Sequence, residues 1–246
     1  MKNKVVAITG GNSGIGLAMS TLFLENGYKV AIFARDRDSM KHFQEKSPND
    51  VLVFKGDVSV NKDLEDFFNT CYELWGGIDT LIANAGIAQP ENIADVTEAS
   101  FDKCMNINVK GVFFTVQKSL GYLNKAASII ILSSIQAQRG AGIWSVYGAT
   151  KAAVRSLTRS FAQALGPEGI RVNTLSPGVT DTPILTKFGF AEDQLADILA
   201  QVSANTPLGR IASPAEIAKS ALFLASDNAS FITGADLQVD GGLAQI

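Results

Sequence analysis

The sequence TGGNSGIG, residues 9–16, is the most informative stretch of the chain, because it lies between an apolar run at 4–9 and an amphipathic helical pattern. Its glycines have the spacing G-x-x-x-G-x-G, and a residue without a Cβ lets the backbone turn tightly and approach a ligand closely. The helix that follows would offer unpaired N–H groups and a partial positive charge to a pyrophosphate. A glycine-rich turn packed closely for structural reasons is the alternative. We predict a dinucleotide site whose residues in this turn are Gly10, Asn12, Ser13, Gly14, Ile15 and Gly16.

Short apolar runs alternate with helical patterns along the whole chain. Several of these runs lack polar alternation, which is typical of parallel strands covered on both faces. In the first helical pattern, apolar side chains from Ile15 to Phe23 recur on one face, and Gly27 follows as a candidate C-cap. The alternation predicts an α/β fold, a Rossmann-type doubly wound parallel sheet with helices on both faces. The predicted strands are about seven in number and lie at 4–9, 29–34, 51–54, 80–83, 128–132, 171–175 and 235–239.

Composition excludes several classes of partner. The 246 residues are 46% hydrophobic and 18% charged, so we expect one domain over 1–246 with a large core. A formal net charge of -3 and no basic stripe argue against nucleic acid and against an anionic membrane surface. No apolar run has the length of a membrane span or the form of a signal core, so we expect a soluble, cytoplasmic protein. Cys71 and Cys104 have no metal-binding spacing; we expect two buried thiols and no metal site.

The end of the second predicted strand bears on the choice of cofactor. Sites for NAD place a carboxylate here to hold the ribose 2′-hydroxyl. This chain has Ala34 followed by Arg35, whose guanidinium fits a 2′-phosphate bidentately, so we predict NADP(H). If the position that contacts the ribose were shifted by one residue, Asp36 would supply the carboxylate. NAD(H) therefore remains an alternative cofactor. Arg35 and Arg37 in an ordinary solvated loop are a further alternative.

Tyr147 and Lys151 form the strongest candidate for chemistry. Their spacing of four places the phenol and the ammonium on one face of a predicted helix. A free phenol has a pKa near 10, and a neighbouring ammonium lowers it, so the pair is suited to general acid and base catalysis. Ser134 ends the preceding strand, where parallel sheets bind ligands, and is placed to hold a substrate oxygen. Its alternative role is to cap the end of the strand.

Two asparagines have open interpretations. Asn84 follows another predicted central strand, where an asparagine is also an ordinary turn former. Asn108 interrupts an otherwise apolar helical pattern, where its amide needs hydrogen-bond partners. A bridge through water to Lys151 and a buried structural hydrogen bond explain it equally well.

These features together resemble the short-chain dehydrogenase/reductase family over essentially the whole chain, and the C-terminal part is similar to bacterial 3-oxoacyl-carrier-protein reductases. The matching motifs are, in order, the TGGNSGIG turn, Asp57, Asn84-Ala85-Gly86, Asn108, Ser134, Tyr147-x-x-x-Lys151 and Pro177-Gly178. The resemblance implies a catalytic tetrad of Asn108, Ser134, Tyr147 and Lys151. It also implies that Asn108 anchors a water molecule.

The resemblance further implies how a cofactor is held. Asp57 and Val58 match positions that contact adenine, and Lys151 matches one that contacts the nicotinamide ribose. The remaining cofactor positions are Asn84, Ala85, Gly86, Tyr147, Pro177, Gly178, Val179 and Thr182. Ser13 departs from the pattern, because some NADP-dependent members have a basic residue there.

The expected function is reduction of a carbonyl group, or the reverse, on a mostly apolar small molecule. By resemblance, residues 183–205 form a substrate lid and residues 138–144 the facing wall, with Phe188, Phe190, Ile143 and Trp144 making the cleft apolar. Plain packing between helices is the alternative. An NAD(H)-dependent alcohol dehydrogenase, a non-redox enzyme and a non-redox dinucleotide-binding protein are the other functions considered. Family members are usually tetramers or dimers, so we expect a homo-oligomer.

Overall fold

Seven parallel strands form one sheet in the computed structural model, which describes residues 4–36, 38–140 and 142–246. The strands are β1 (Val5–Thr9), β2 (Lys29–Ala34), β3 (Val51–Lys55), β4 (Ile78–Ala83), β5 (Leu123–Leu132), β6 (Arg171–Pro177) and β7 (Asp236–Val239). Their order is β3-β2-β1-β4-β5-β6-β7, and every neighbouring pair is parallel. The order reverses between β1 and β4, which is where sheets of this kind bind ligands. All the predicted strands are confirmed, although β5 begins at Leu123 rather than at residue 128.

Helices cover both faces of the sheet, as predicted. They are α1 (Gly14–Glu25), α2 (Lys41–Lys46), α3 (Asn61–Trp75), α4 (Glu98–Met105), α5 (Gly111–Ser119), α6 (Ser145–Leu165), α7 (Glu192–Asn205) and α8 (Pro214–Ala225). A π-helical turn, Asn106–Lys110, joins α4 to α5. One hydrophobic cluster packs α3, α5 and α6 against the sheet, and a second packs α1 and α8 against the opposite face.

The alternation of side chains along β1 explains why the four residues from Val5 to Ile8 are all apolar. Val5 and Ala7 belong to the cluster with α3, α5 and α6, whereas Val6 and Ile8 belong to the cluster with α1 and α8. Successive side chains of a strand point to opposite faces. Because both faces are covered, all four of these positions are apolar.

The helix predicted after β1 is α1, and its buried face includes Met19 and Phe23. The Phe23 ring packs edge-on against Tyr28, with 4.9 Å between ring centroids. Gly27 has a φ of +79°, the left-handed conformation that commonly ends a helix. The helix therefore returns the chain to the sheet at Lys29.

Both cysteines are free and buried, as predicted. Burial raises the pKa of the Cys71 thiol to about 12. Across the described parts of the chain, no helix is both long and apolar enough to cross a membrane.

Candidate active site

The glycine-rich turn connects β1 to α1 as predicted. Gly10 and Gly14 have φ angles of +66° and +51°, which favour glycine. A Cβ added to Gly16 would lie 2.0 Å from the Gly10 carbonyl oxygen, so only glycine fits there. Ser13 is the N-cap of α1, yet its side chain makes no capping hydrogen bond, and the first turn contains no acidic residue. This leaves an electropositive helix end beside the carboxyl end of β1.

Asn84 ties this turn to β4. Its Nδ2 donates hydrogen bonds to the carbonyl oxygens of Thr9 and Gly10, both at 3.0 Å. In return, the hydroxyl of Thr9 accepts hydrogen bonds from the backbone N–H groups of Asn84 and Ala85, each at 3.1 Å. Asn84 is thus more than a turn former, and it braces the glycine-rich turn from the neighbouring strand.

The end of β2 presents Arg35 to solvent. Among the described residues, Arg35 has no ion pair within 4 Å, and Arg37 lies outside them. Asn12 donates to the hydroxyl of Ser39 at 3.2 Å, which connects the glycine-rich turn to the segment after β2. The Asp36 carboxylate accepts the Ser39 N–H at 3.4 Å, so it faces the start of the following helical turn.

Asp57 follows β3 and faces the same end of the sheet. Burial on its own would raise the pKa of this carboxyl group, but the hydrogen bonds from Ser59 and the charge of Arg35 outweigh it and hold the pKa below its usual value. The Asp57 carboxylate accepts the Ser59 N–H at 2.9 Å and the Ser59 hydroxyl at 2.7 Å. Val58 beside it is buried against Gly111, where an added Cβ would lie 3.0 Å from Val58 Cγ2.

Ser134, Tyr147 and Lys151 converge beyond the carboxyl end of β5. β5 ends at Leu132, and Ser134 is the second residue after it. Tyr147 lies in the first turn of α6. The Ser134 hydroxyl neighbours the Tyr147 phenol and favours its ionised form. Lys151 is 5% exposed, its Nζ donates to the Leu132 carbonyl oxygen at 2.9 Å, and the same atom lies 5.7 Å from the centroid of the Tyr147 ring.

The pKa values of Tyr147 and Lys151 differ from the prediction. Burial raises the pKa of Tyr147 to about 12, even though the neighbouring Ser134 hydroxyl favours the phenolate. Burial also lowers the pKa of Lys151 to about 8. The prediction that Lys151 lowers the pKa of Tyr147 is therefore wrong for the protein chain alone. Removing both side chains from water penalises the phenolate and the ammonium more than their proximity stabilises them.

Asn108 lies within the π-helical turn and is fully buried. Its Oδ1 accepts the Ile87 N–H at 2.9 Å, and its Nδ2 donates to the Ile87 carbonyl oxygen at 2.8 Å and to the Thr150 hydroxyl at 3.1 Å. Asn108 thus makes buried structural hydrogen bonds, which was one of the two interpretations of this residue. π-Helical turns inside α-helices frequently occur at functional sites.

The segment after β6 closes over the glycine-rich turn. Pro177 ends β6, and the Gly178 N–H donates to the Val239 carbonyl oxygen at 3.0 Å. Val179 extends the connection, accepting the Ala212 N–H at 3.0 Å. The Thr182 side chain then lies 3.3 Å from where a Cβ on Gly14 would be. Residues far apart in sequence therefore meet at the N-terminus of α1.

Aromatic side chains from the predicted wall and lid meet beside Tyr147. The Trp144 ring lies 5.7 Å from the Tyr147 ring and 5.1 Å from the Phe188 ring, and Phe188 lies 6.4 Å from Phe190. Residue 141 of the wall is outside the described residues. The helix α7 within the predicted lid has no buried residue. Apolar rings from both segments therefore lie beside Tyr147.

Two residues of the site were missed by sequence reasoning. Thr9 and Thr150 are buried hydroxyl groups that join separate segments of the site. Thr150 carried a detectable signal, because it lies between Tyr147 and Lys151 at a position that faces the core. No local pattern pointed to Thr9, since a threonine at the end of a strand is ordinary.

Known proteins resemble this chain over nearly its whole length. A family model described as "Enoyl-(Acyl carrier protein) reductase" matches residues 10–244. The NADP-dependent (R)-specific alcohol dehydrogenase of Lentilactobacillus kefiri is 37% identical over 249 residues, which cover 98% of this chain and 97% of that protein. The 3-oxoacyl-[acyl-carrier-protein] reductase of Thermotoga maritima is 34% identical over 248 residues, covering 99% and 98% respectively.

A solved structure is similar over the whole fold. The crystal structure of a short-chain dehydrogenase/reductase, SDR:Glucose/ribitol dehydrogenase, from Brucella melitensis aligns with a TM-score of 0.93 at 36% identity, covering 99% of this chain and 97% of that one. The family model, the relatives and this structure each cover nearly the whole chain. The chain belongs to the short-chain dehydrogenase/reductase family of oxidoreductases, whose cofactors are NAD(H) and NADP(H).

Proposed function

We propose that this protein is an NADP(H)-dependent oxidoreductase that reduces a carbonyl group to an alcohol, or catalyses the reverse reaction, with Tyr147 as general acid and base. The observation that carries the proposal is the convergence of Ser134, Tyr147 and Lys151 beyond β5, where the Lys151 Nζ lies 5.7 Å from the centroid of the Tyr147 ring. Reduction of a carbonyl group requires a proton donor for its oxygen and a second group that hydrogen-bonds to the same oxygen.

The glycine-rich turn fits a dinucleotide. Gly10 and Gly14 adopt conformations that other residues avoid, and the N-terminus of α1 is free of acidic side chains. A backbone of this form can approach a pyrophosphate closely and donate N–H groups to it. When bound, the nicotinamide ring would supply or accept the hydride. The residues proposed to hold the cofactor are those of the turn together with Asp57, Val58, Asn84, Ala85, Gly86, Tyr147, Lys151, Pro177, Gly178, Val179 and Thr182.

The preference for NADP(H) rests on Arg35. Its side chain is exposed at the end of β2, and the segment that follows is joined to the glycine-rich turn by the hydrogen bond between Asn12 and Ser39. A planar guanidinium suits bidentate contact with a 2′-phosphate. The Asp36 carboxylate accepts a hydrogen bond from Ser39, which supports assigning phosphate recognition to Arg35 rather than ribose recognition to Asp36.

Each polar group near Tyr147 has a proposed task. Ser134 holds the substrate oxygen, and Tyr147 donates its hydroxyl proton to that oxygen during reduction. The raised pKa of Tyr147 means that the phenol is protonated at neutral pH and has a proton to donate. Lys151 orients the cofactor ribose and adds positive charge when it is protonated, while Asn108 supports Lys151 and anchors a water molecule.

The substrate is proposed to be a mostly apolar small molecule. The chain of rings from Trp144 to Phe190 beside Tyr147 supports this, as does the absence of buried residues in α7, which would let residues 183–205 act as a lid. A single sheet supports one NAD(P)-binding domain over 1–246. The apolar surface around Phe113 and Phe114 is consistent with a homo-oligomer, a tetramer or a dimer.

The proposal is tested by following NADPH consumption with a panel of apolar ketones and aldehydes. Tyr147→Phe should lower kcat by about a hundredfold or more, because general acid catalysis contributes at least that much, while NADPH binding is retained. Tyr72→Phe removes the hydroxyl of an exposed tyrosine on α3 and serves as the control. Full turnover in Tyr147→Phe, or wild-type protein that binds neither NADPH nor NADH, would refute the proposal.

A further inference from the structure

Thr150 lies on the buried face of α6, between Tyr147 and Lys151, and is fully buried. Its hydroxyl donates to the Tyr147 carbonyl oxygen at 2.7 Å and is 3.1 Å from the Nδ2 atom of Asn108. A hydroxyl group has one hydrogen, so Thr150 must be the acceptor towards Asn108. The hydrogen bonds therefore run in one direction, from the Asn108 amide through Thr150 to the backbone of Tyr147.

Asn108 continues this connection to the segment after β4. It binds both backbone polar groups of Ile87, at 2.9 and 2.8 Å. A Cβ added to the preceding Gly86 would lie 3.2 Å from Asn108 Oδ1 and 3.5 Å from Lys151 Nζ. Three separate segments thus meet around the Lys151 ammonium, and the Thr150 hydroxyl joins α6 to Asn108, which in turn binds Ile87.

The burial of these groups makes the Thr150 hydroxyl hard to replace. Asn108 is fully buried, so an amide hydrogen that loses Thr150 is not exposed to bulk solvent for a replacement partner. The other nearby acceptor is the Cys104 sulfur, at 3.5 Å, and sulfur accepts hydrogen bonds weakly. A buried network holds its members rigidly when every group is satisfied and loses that rigidity when one partner is missing.

We propose that Thr150 is a positioning residue for the reaction: its hydroxyl fixes the Asn108 amide, which in turn holds Gly86 and Ile87 against Lys151. This inference rests on the proposed function, because Thr150 acts through Tyr147 and Lys151. Thr150 does not itself contact the reacting atoms. Its effect should therefore appear in kcat rather than in cofactor affinity.

The first test compares three variants in the NADPH-dependent reaction. Thr150→Val keeps the shape of the side chain and removes the hydroxyl, and should lower kcat about tenfold with KM and the NADPH Kd nearly unchanged. Thr150→Ser restores the hydroxyl and should recover most of the activity. Thr158→Val is the matched control, because Thr158 is a buried threonine of the same helix that donates to the Val154 carbonyl oxygen at 2.9 Å. Its kcat should stay at the wild-type level.

Amide hydrogen exchange of Ile87 provides a readout that does not depend on turnover. In Thr150→Val the Ile87 N–H should exchange about tenfold faster, because its acceptor Asn108 is no longer held, and in Thr158→Val its rate should be unchanged. Wild-type protein without turnover would refute the proposed function, while the Ile87 exchange rate would still show whether Thr150 holds Asn108. Unchanged exchange and kcat in Thr150→Val would overturn the inference. So would a Thr150→Ser variant as impaired as Thr150→Val, or an equal loss in Thr158→Val.

Discussion

The side-chain amide of Asn84 holds Gly10 from the neighbouring strand, donating to the Gly10 carbonyl oxygen at 3.0 Å. The same oxygen faces Gly16, where an added Cβ would approach it to 2.0 Å. Gly10 itself has a left-handed φ of +66°. The path of the proposed phosphate-binding turn therefore depends on a hydrogen bond from another strand as well as on its own glycines.

Asn84→Ala should weaken the binding of both cofactors. Without the amide, the carbonyl oxygens of Thr9 and Gly10 lose a donor and the turn loses its brace, so we expect NADPH and NADH affinities to fall alike by about tenfold. Fluorescence titration with each cofactor measures this. Asn26→Ala is the matched control, because the Asn26 amide also donates to a backbone carbonyl oxygen, that of Leu22, at the far end of α1. A loss confined to one cofactor would contradict the bracing role.

Arg35→Ala should change the affinity for NADPH and not the affinity for NADH. Loss of a charge-assisted phosphate contact is expected to weaken NADPH binding by roughly tenfold to a hundredfold and to leave NADH binding nearly unchanged. The same titration measures it, with Arg159→Ala, an exposed arginine on α6, as control. If wild-type protein binds NADH as tightly as NADPH, we infer that the Asp36 carboxylate binds the ribose 2′-hydroxyl. Alcohol oxidation then becomes the expected direction. Asp36→Ala would then weaken NADH binding.

Phe188→Ala should affect the substrate rather than the cofactor. The Phe188 ring packs against Trp144, which in turn lies against Tyr147. Removing a ring that covers an apolar substrate should raise KM for apolar ketones by about tenfold, in line with the free energy of burying such a side chain, with the NADPH Kd unchanged. Steady-state kinetics measure this, and Phe231→Ala, at a fully exposed phenylalanine, is the control. An unchanged KM would mean that Phe188 only packs against Trp144.

The buried Lys151 should make stability depend on pH. Burial lowers its pKa from the ordinary value of 10.5 to about 8. Between these two values the unfolded chain keeps the proton and the folded chain releases it. The free energy of unfolding therefore rises with pH across this window, and the stability gained is lost again as pH falls through the folded pKa.

Lys151→Met should remove this dependence. The quantity to compare is the free energy of unfolding of the variant minus that of wild type. We expect this difference to be about 2 kcal/mol larger near neutral pH than at about pH 9.5. Urea unfolding at both pH values measures it, with Lys219→Met, an exposed lysine on α8, as control. A stability difference that is the same at both pH values would show that Lys151 titrates normally.

Much of this molecule follows from short-range patterns in the chain. The apolar runs predicted every strand of the sheet, because strands covered on both faces are mostly apolar. The glycines of residues 9–16 predicted the turn into α1, and the spacing of Tyr147 and Lys151 predicted two side chains on one helix face. These properties depend on neighbours within a few residues, so the order of residues is enough to infer them.

Hydrogen-bond partners and pKa values required the folded chain. Asn84 donates to Thr9, which is 75 positions away, and Asn108 and Thr150 are separated by 42. The pKa of Tyr147 rises where the spacing predicted a fall, because desolvation depends on everything packed around the phenol and not on Lys151 alone. Residue spacing thus established which groups can act together, whereas long-range packing established how each group is held and how readily it ionises.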